Sequence, residues 1–254
     1  MEEASQNTET VKKVFIQTYG CQMNEYDTEK MFEVLKHQNY FQTDSREDAD
    51  LIILNTCSIR EKAENKVYSE LGRLRKLKSV KPELKIGVGG CVAQQEGKAI
   101  LRREASVDFV FGTDNLFELP EMLKKVSRGQ EIIQTKRHAR QKVRNLIPEY
   151  AFQKTQHHGI KAHLAITKGC NNHCSFCVVP FTRGIEVSRE PENILAEAQR
   201  LTSAGTREIC LLGQNVNSYK ANGVDFVELL HRLDELENLQ RLRFISPHPK
   251  DFHE

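Results

Sequence analysis

Apolar residues along this chain fall into two alternating patterns. Short runs, VFIQT (Val14 to Thr18), LIIL (Leu51 to Leu54), KIGV (Lys85 to Val88) and FVF (Phe109 to Phe111), read as buried strands. Between them apolar positions recur at helical spacing. Met31, Val34 and Leu35 do so within Asp27 to His37, and Val67, Leu71 and Leu74 within Ala63 to Leu77, whose other side carries Arg73, Arg75, Lys76 and Lys78. Such alternation predicts a parallel sheet with helices on both faces. The second half repeats the pattern. HLAIT (His163 to Thr167), EICLL (Glu208 to Leu212) and Leu242 to Ile245 read as strands. The intervening helices are SREPENILAEAQRLTSAG, with Ile194, Leu195, Ala198 and Leu201 as its stripe, Ser188 as N-cap and Gly205 as stop, and Asp225 to Leu236. Strand, helix, strand, helix, strand is how a (β/α) barrel begins, with its chemistry at the C-terminal ends of the strands.

Between the halves, KRHARQKVR (Lys136 to Arg144) is basic and lacks periodicity. It reads either as a solvated connector or as a strip that contacts RNA phosphates. The predicted layout is a polar tail over 1–10, an N-terminal domain over 11–135, a linker over 136–158, and an incomplete barrel over 159–254. Only three strands of that barrel are seen before the sequence stops. The expectation is an N-terminal portion of a longer protein, with an exposed sheet edge and a tendency to associate.

Composition adds limits. Hydrophobic residues make up 39% of the 254, enough for packed cores, and the net charge of +2 excludes a strongly basic nucleic-acid coat while leaving room for a local RNA-binding patch. No apolar run reaches membrane-spanning length, and MEEASQNTET has neither signal-peptide nor transit-peptide character, so no membrane association and a cytoplasmic location are expected. Seven cysteines is an odd number for a disulfide scaffold; in a reducing cytosol grouped cysteines point to metal binding.

Six of the cysteines form two sets. GCNNHCSFC places Cys170, Cys174 and Cys177 on one short loop. Three thiolates are one short of a closed zinc site and suit a [4Fe–4S] cube with one open iron. Zinc completed by His173, or loop thiols without metal, are the alternatives. Phe176, inside the last spacing, is a candidate to shield a cluster from water. The other set is spread through the first half. Cys21, Cys57 and Cys91 each follow a predicted strand, in YGC, NTC and GGC. Loops after parallel strands share one rim, where ligands bind, so residues 34 to 36 apart in sequence are expected to converge there. Gly20, Gly89 and Gly90 permit tight turns beside them. The alternative is three separate buried thiols at strand ends. Cys210, inside EICLL, reads as a core residue. Arg183 in PFTRG is either a partner for a carboxylate or phosphate or a surface arginine, and Gln214, Asn215 and Asn217 in GQNVN either bind a ligand at the strand's rim or cap the loop.

The C-x₃-C-x-aromatic-C loop resembles the signature of radical S-adenosylmethionine (radical SAM) enzymes. IQTYGCQMN, NTCSIREKAENKVYSELGRL, GGCVAQQEG and KGCNNHCSFCVVPFTRGIEVSR together resemble the MiaB family of tRNA methylthiotransferases, from about Val14 onward. The resemblance implies a flavodoxin-like first domain followed by the first half of a radical SAM partial (β/α) barrel. It implies two [4Fe–4S] clusters, one held by Cys170, Cys174 and Cys177, where SAM chelates the open iron and is cleaved to a 5′-deoxyadenosyl radical, and an auxiliary one on Cys21, Cys57 and Cys91. PFTRG is expected near SAM and the first cluster, with Phe176 and Asn215 as cofactor contacts. The implied reaction is methylthiolation at C2 of N6-isopentenyladenosine beside the tRNA anticodon, with a donor such as flavodoxin or ferredoxin for the electron and a separate sulfur source. No general acid or base is assigned. The implied rivals are another substrate within the family, a non-catalytic iron–sulfur or RNA-binding module, and a structural zinc protein.

Overall fold

A computed structural model describes residues 11–58, 61–138 and 159–252. The polar tail and most of the linker, including Arg140 and Lys142, lie outside them.

The first half is one six-stranded sheet, all parallel, in the order β2-β1-β3-β4-β5-β6. Its strands are β1 (Lys12–Thr18), β2 (Tyr40–Gln42), β3 (Leu51–Thr56), β4 (Lys85–Gly90), β5 (Phe109–Phe111) and β6 (Ile132–Gln134). The first five repeat the flavodoxin-like order, with the direction of winding reversing between β1 and β3. β3 shows why the sheet is covered on both faces. Leu51 and Ile53 pack into a core with Met31, Val34, Leu35, Phe109 and Phe111, whereas Ile52 and Leu54 pack on the opposite face with Val67, Leu71, Leu74, Ile86 and Val88. Successive side chains of a strand point to opposite faces, so an unbroken apolar run requires two cores. The helices that supply them include α1 (Gln22–Lys36) and α2 (Glu61–Val80), followed by α3 (Cys91–Glu96), α4 (Lys98–Arg103) and α5 (Leu119–Val126). In β4, Gly87 and Gly89 leave space for the stacked rings of Phe109 and Phe111; a Cβ would lie 2.2 and 2.3 Å from those rings.

In the second half β7 (Lys161–Ala165), β10 (Glu208–Leu212) and β13 (Arg241–Phe244) form a parallel sheet in the order β13-β10-β7. A small antiparallel pair, β8 (Thr167–Lys168) with β9 (Val187–Ser188), closes the base of the cysteine loop, and one turn of helix, α6 (Val179–Thr182), lies inside that loop. β11 (Lys220–Ala221) and β12 (Val224–Asp225) form a hairpin before the last helix. α7 (Pro191–Ser203) and α8 (Phe226–Asp234) bury Ile194, Ala198, Leu229 and Leu233 in one core with Leu164, Ile209 and Leu211. β13 is largely exposed and Phe244 is part of that surface.

Three local expectations change. Ser188 is paired in β9 and is not an N-cap; Glu190 occupies that position with Pro191 at the first helical residue, where its missing N–H costs nothing. α1 begins at Gln22, five residues before the expected start at Asp27, and Cys91 is the first residue of a helix. Asp225 caps α8 by accepting from the Glu228 N–H at 2.9 Å.

The halves meet rim to rim. Ala165 and Leu212, the last residues of β7 and β10, pack on Met23 and Tyr26 in the first turns of α1. α1 is therefore two-sided: its apolar stripe covers its own sheet, and Asn24, Tyr26, Asp27 and Lys30, all buried, face the second half or its cysteine loop.

Candidate active site at the junction of two cysteine sets

Cys21 immediately precedes α1, Cys57 immediately follows β3, and Cys91 opens α3 immediately after β4. The three adjacent strands bring them together, as the topology requires. The Cys57 side chain is within hydrogen-bonding reach of both Cys21 and Cys91. Two glycines make the approach possible. Gly20 has φ +123° and a Cβ there would stand 2.7 Å from Cys57 Sγ; Gly90 has φ +92° and its Cβ would meet the Thr56 carbonyl oxygen at 2.3 Å. Both conformations favour glycine, and both spaces are filled.

A buried amide pair fixes the loops. Asn24 Nδ2 donates to Asn55 Oδ1 (3.1 Å) and to the Thr56 carbonyl (2.9 Å), while Asn55 Nδ2 donates to the Asn24 carbonyl (2.8 Å) and Thr28 Oγ1 (2.9 Å). Asn24 Oδ1 accepts from the Cys21 thiol at 3.5 Å. These asparagines stand in the YGCQMN and NTC motifs. Their proximity to cysteine was visible in the sequence; their pairing across 31 residues was not.

The Cys170 set sits on the loop closed by β8 and β9. The Cys170 N–H donates to the Gly184 carbonyl (3.0 Å), and the Cys177 N–H to the Cys174 carbonyl (3.0 Å). Gln214, just past β10, accepts from the Gly169 N–H and ties a second rim loop to the base. Cys170 is buried, Cys174 and Cys177 are half-buried, and His173 is exposed. Phe176 is 90% exposed, so its ring does not cover the thiols. Asn215 is buried, its Nδ2 donating to Asp251 at 2.6 Å and its Oδ1 without a hydrogen-bond partner among the described residues. Asn217 clamps His248 through both its amide groups. Cys210 is partly buried beside the interface core.

PFTRG connects the two sets. Instead of lying over its own loop alone, it delivers Thr182 and Arg183 to the first three cysteines: the Thr182 side chain is within hydrogen-bonding reach of Cys91. Arg183 is 5% exposed, and its Nη2 donates to Asp27 Oδ2 (2.9 Å) and Asn24 Oδ1 (3.2 Å). Of the two readings open for Arg183, the carboxylate pair is the one observed. The loop after β5 adds to the junction, with Thr113 Oγ1 donating to the Thr182 carbonyl (2.8 Å) and Lys168 reaching both the Thr113 carbonyl (2.6 Å) and Asp114 (2.6 Å). Arg137, at the start of the basic run, is exposed and donates to the Phe181 carbonyl, tying the run to the cysteine loop.

The two thiol environments differ. Hydrogen bonding with the Cys57 thiol, which is within reach of both, is the main influence that pulls Cys21 and Cys91 below the ordinary thiol range; burial opposes this and the Arg183 charge assists it. Burial raises Cys170; the Asn172 N–H opposes this, and negative charge at Glu186, Cys177 and Cys174 adds to it. Below the first set lies a buried ionic cluster. Glu197 of α7 meets Lys30 (2.8 Å) and Arg189 (2.8 Å), with the Tyr26 hydroxyl at 3.3 Å. Burial disfavours the Glu197 carboxylate, but Lys30 and Arg189 outweigh it and hold its pKa at about 2. A cavity of about 70 Å³ opens beside this cluster, lined by Tyr26, Lys30, Asp114, Phe117, Thr167 and Arg189, among others.

Among the described residues no three His, Cys, Asp or Glu side chains are arranged round a single ion. Two thiol-only sets of three are instead the donor chemistry of iron–sulfur cubes that each leave one iron open.

Comparison with known proteins defines the class. Residues 13–112 match the model described as uncharacterized protein family UPF0004, and residues 164–252 match the radical SAM superfamily. Membership of that superfamily carries with it SAM and [4Fe–4S] cofactors, which the thiol sets fit. Across both halves the chain is similar to proteins of the MiaB family. A tRNA-2-methylthio-N(6)-dimethylallyladenosine synthase of Janthinobacterium sp. (strain Marseille) is 50% identical over 253 residues, covering 95% of this chain and 54% of the relative. The protein of that name from Ruegeria pomeroyi is 49% identical over 249 residues, covering 94% and 55%. The chain thus spans about half the length of the curated relatives it matches. Its fold is similar to that of the radical SAM methyltransferase TsrM from Kitasatospora setae, solved with tryptophan and a SAM analogue, with a TM-score of 0.54 and 14% identity over 88% of this chain and 50% of that one.

Proposed function

We propose that this chain carries the two-cluster portion of a tRNA methylthiotransferase that acts on N6-isopentenyladenosine, the dimethylallyl-bearing adenosine in its relatives' names. Cys170, Cys174 and Cys177 hold the [4Fe–4S] cluster that binds SAM; Cys21, Cys57 and Cys91 hold the auxiliary cluster. The observation that carries this reading is the single junction: the Cys170 N–H bonds to Gly184, and the adjoining Arg183 and Thr182 reach the Cys21 and Cys91 neighbourhood. Two cysteine sets joined this closely can serve one substrate atom.

The bound cofactors supply hydrogen-atom abstraction and a sulfur site, which an unactivated aromatic C–H requires and side-chain acid–base groups do not provide. The protein's own task is placement. Gln214 holds the base of the SAM loop, and Asn215, locked by Asp251, keeps its Oδ1 free for a donor on the ligand. The Asn24 and Asn55 pair holds the auxiliary thiols while Lys30, Glu197 and Arg189 fix the halves. Phe176 and Phe181, both exposed, offer apolar surface beside the loop. The partners are tRNA, an electron donor of the flavodoxin or ferredoxin kind and a sulfur source, in the cytoplasm; among the described residues no helix is long and apolar enough to cross a membrane.

The test separates the two sets in the full-length enzyme. Cys174→Ala should stop both SAM cleavage and methylthiolation. Cys57→Ala should stop methylthiolation in a tRNA nucleoside mass assay while SAM cleavage continues. Methylthiolated tRNA from either variant would contradict the reading.

A further inference from the structure

Arg183 is buried with part of its fork unused. Its Nη2 donates to both Asp27 and Asn24, and its Nη1 is buried without a hydrogen-bond partner among the described residues. A guanidinium presents five donors, and a buried donor left unpaired carries a desolvation cost of about 1–3 kcal/mol, so an orphan at full burial marks a group that is satisfied only when something else is present. The position says what. Asn24 Oδ1 is shared between Arg183 Nη2 and the Cys21 thiol, and the preceding residue, Thr182, is within hydrogen-bonding reach of Cys91. The orphaned donor therefore stands at the rim of the first cysteine set, although Arg183 belongs to the loop of the second. Asp27, 2.9 Å from Nη2, fixes the orientation of the fork.

We propose that Arg183 binds the sulfur-bearing group held by Cys21, Cys57 and Cys91, donating from Nη1 to one of its sulfurs. This rests on the assignment of an iron–sulfur cluster to those cysteines. A cube on three thiolates is an anion, and a buried anion needs compensation. Hydrogen bonds to cluster sulfurs set the reduction potential. Arg183 thus makes the auxiliary site complete only when the two halves are docked, and it biases that site toward reduction.

The experiment uses this 254-residue chain with Cys170, Cys174 and Cys177 replaced by Ala, reconstituted anaerobically with iron and sulfide, so that only the auxiliary cluster is present. Arginine carries ¹⁵N. The expected result is a guanidinium nitrogen hyperfine coupling in pulsed EPR of the reduced cluster, lost in Arg183→Lys. Arg183→Gln should shift the midpoint potential more negative, Arg183→Lys should restore part of that shift, and Asp27→Asn should move the potential the opposite way. Failure of Arg183→Gln to take up the cluster while Arg183→Lys takes it up also supports the role. A wild-type-like potential in Arg183→Gln with a full cluster, or no guanidinium coupling in the parent protein, overturns the proposal. If the parent takes up no cluster on Cys21, Cys57 and Cys91, the functional assignment itself fails, a separate outcome.

Discussion

The two cysteine sets are built on opposite principles. Cys21, Cys57 and Cys91 stand on three neighbouring strands of a six-stranded sheet, locked by Gly20, Gly90 and a buried asparagine pair, in surroundings that favour thiolate. Cys170, Cys174 and Cys177 share one loop, pinned mainly at its base, with Phe176 in solvent and the Cys170 thiol raised by burial. The first site is made by the fold. The second is made by local spacing, and its shape is left to the group that occupies it. The difference follows from sequence distance: residues at most seven apart are close in any fold, whereas residues 34 to 36 apart converge only if the sheet is correct.

The largest expected effects come from the ligands themselves. Alanine at any of the six cysteines should abolish methylthiolation in the full-length enzyme, read by nucleoside mass spectrometry. Retained product would remove that cysteine from its set. Next is the ionic cluster that holds the halves in register. Glu197→Gln leaves Arg189 buried without its carboxylate and Lys30 with Glu33 (3.0 Å) as its remaining one, and removing one partner of a buried pair costs about 3–5 kcal/mol. Denaturant unfolding measures it, and a loss under about 1 kcal/mol would mean the cluster is not what joins the halves. The same group sets a pH dependence. Its folded pKa of about 2 lies below the ordinary carboxylate value of 4.5. Its stabilisation is present above that ordinary value and is lost as pH falls toward the folded one. Acid should therefore weaken the wild-type chain more than the Gln variant over that range, and parallel curves would exclude it.

A smaller effect sharpens the contrast directly. Gly90→Ala adds a Cβ 2.3 Å from the Thr56 carbonyl at φ +92°, which should cost more than about 1 kcal/mol. It should lower iron uptake at the first set and spare the second; equal losses at both would erase the distinction between a fold-built and a loop-built site. Smallest is Phe176→Ala, which in the ligand-free chain should change stability by less than about 0.5 kcal/mol because the ring is solvent-exposed.

Much of this was legible in the residues. The strands that deliver the first three cysteines are dense apolar runs, and parallel topology with its shared rim follows from their alternation with helices. The three-residue strands β2 and β6 were not found, because YFQ and IIQ are too short to show a period. The early start of α1 was hidden because its first turns, Gln22 to Asp27, face the second half and break the apolar stripe. The junction escaped for a related reason. Tyr26, Asp27 and Lys30 meet Arg189, Arg183 and Glu197 more than 150 residues away, and no local pattern announces a buried polar contact at that separation. The resemblance puts PFTRG near SAM and the cluster of its own loop; its long reach to the other cysteines depends on the packing of both halves.

The most direct test is Mössbauer spectroscopy with iron analysis on the anaerobically reconstituted chain and on two triple variants. Two [4Fe–4S] clusters are expected in the parent. One should persist when Cys21, Cys57 and Cys91 are replaced together, and one when Cys170, Cys174 and Cys177 are replaced together. A single cluster in the parent, or iron that is unaffected by loss of the first three cysteines, would contradict the two-site architecture.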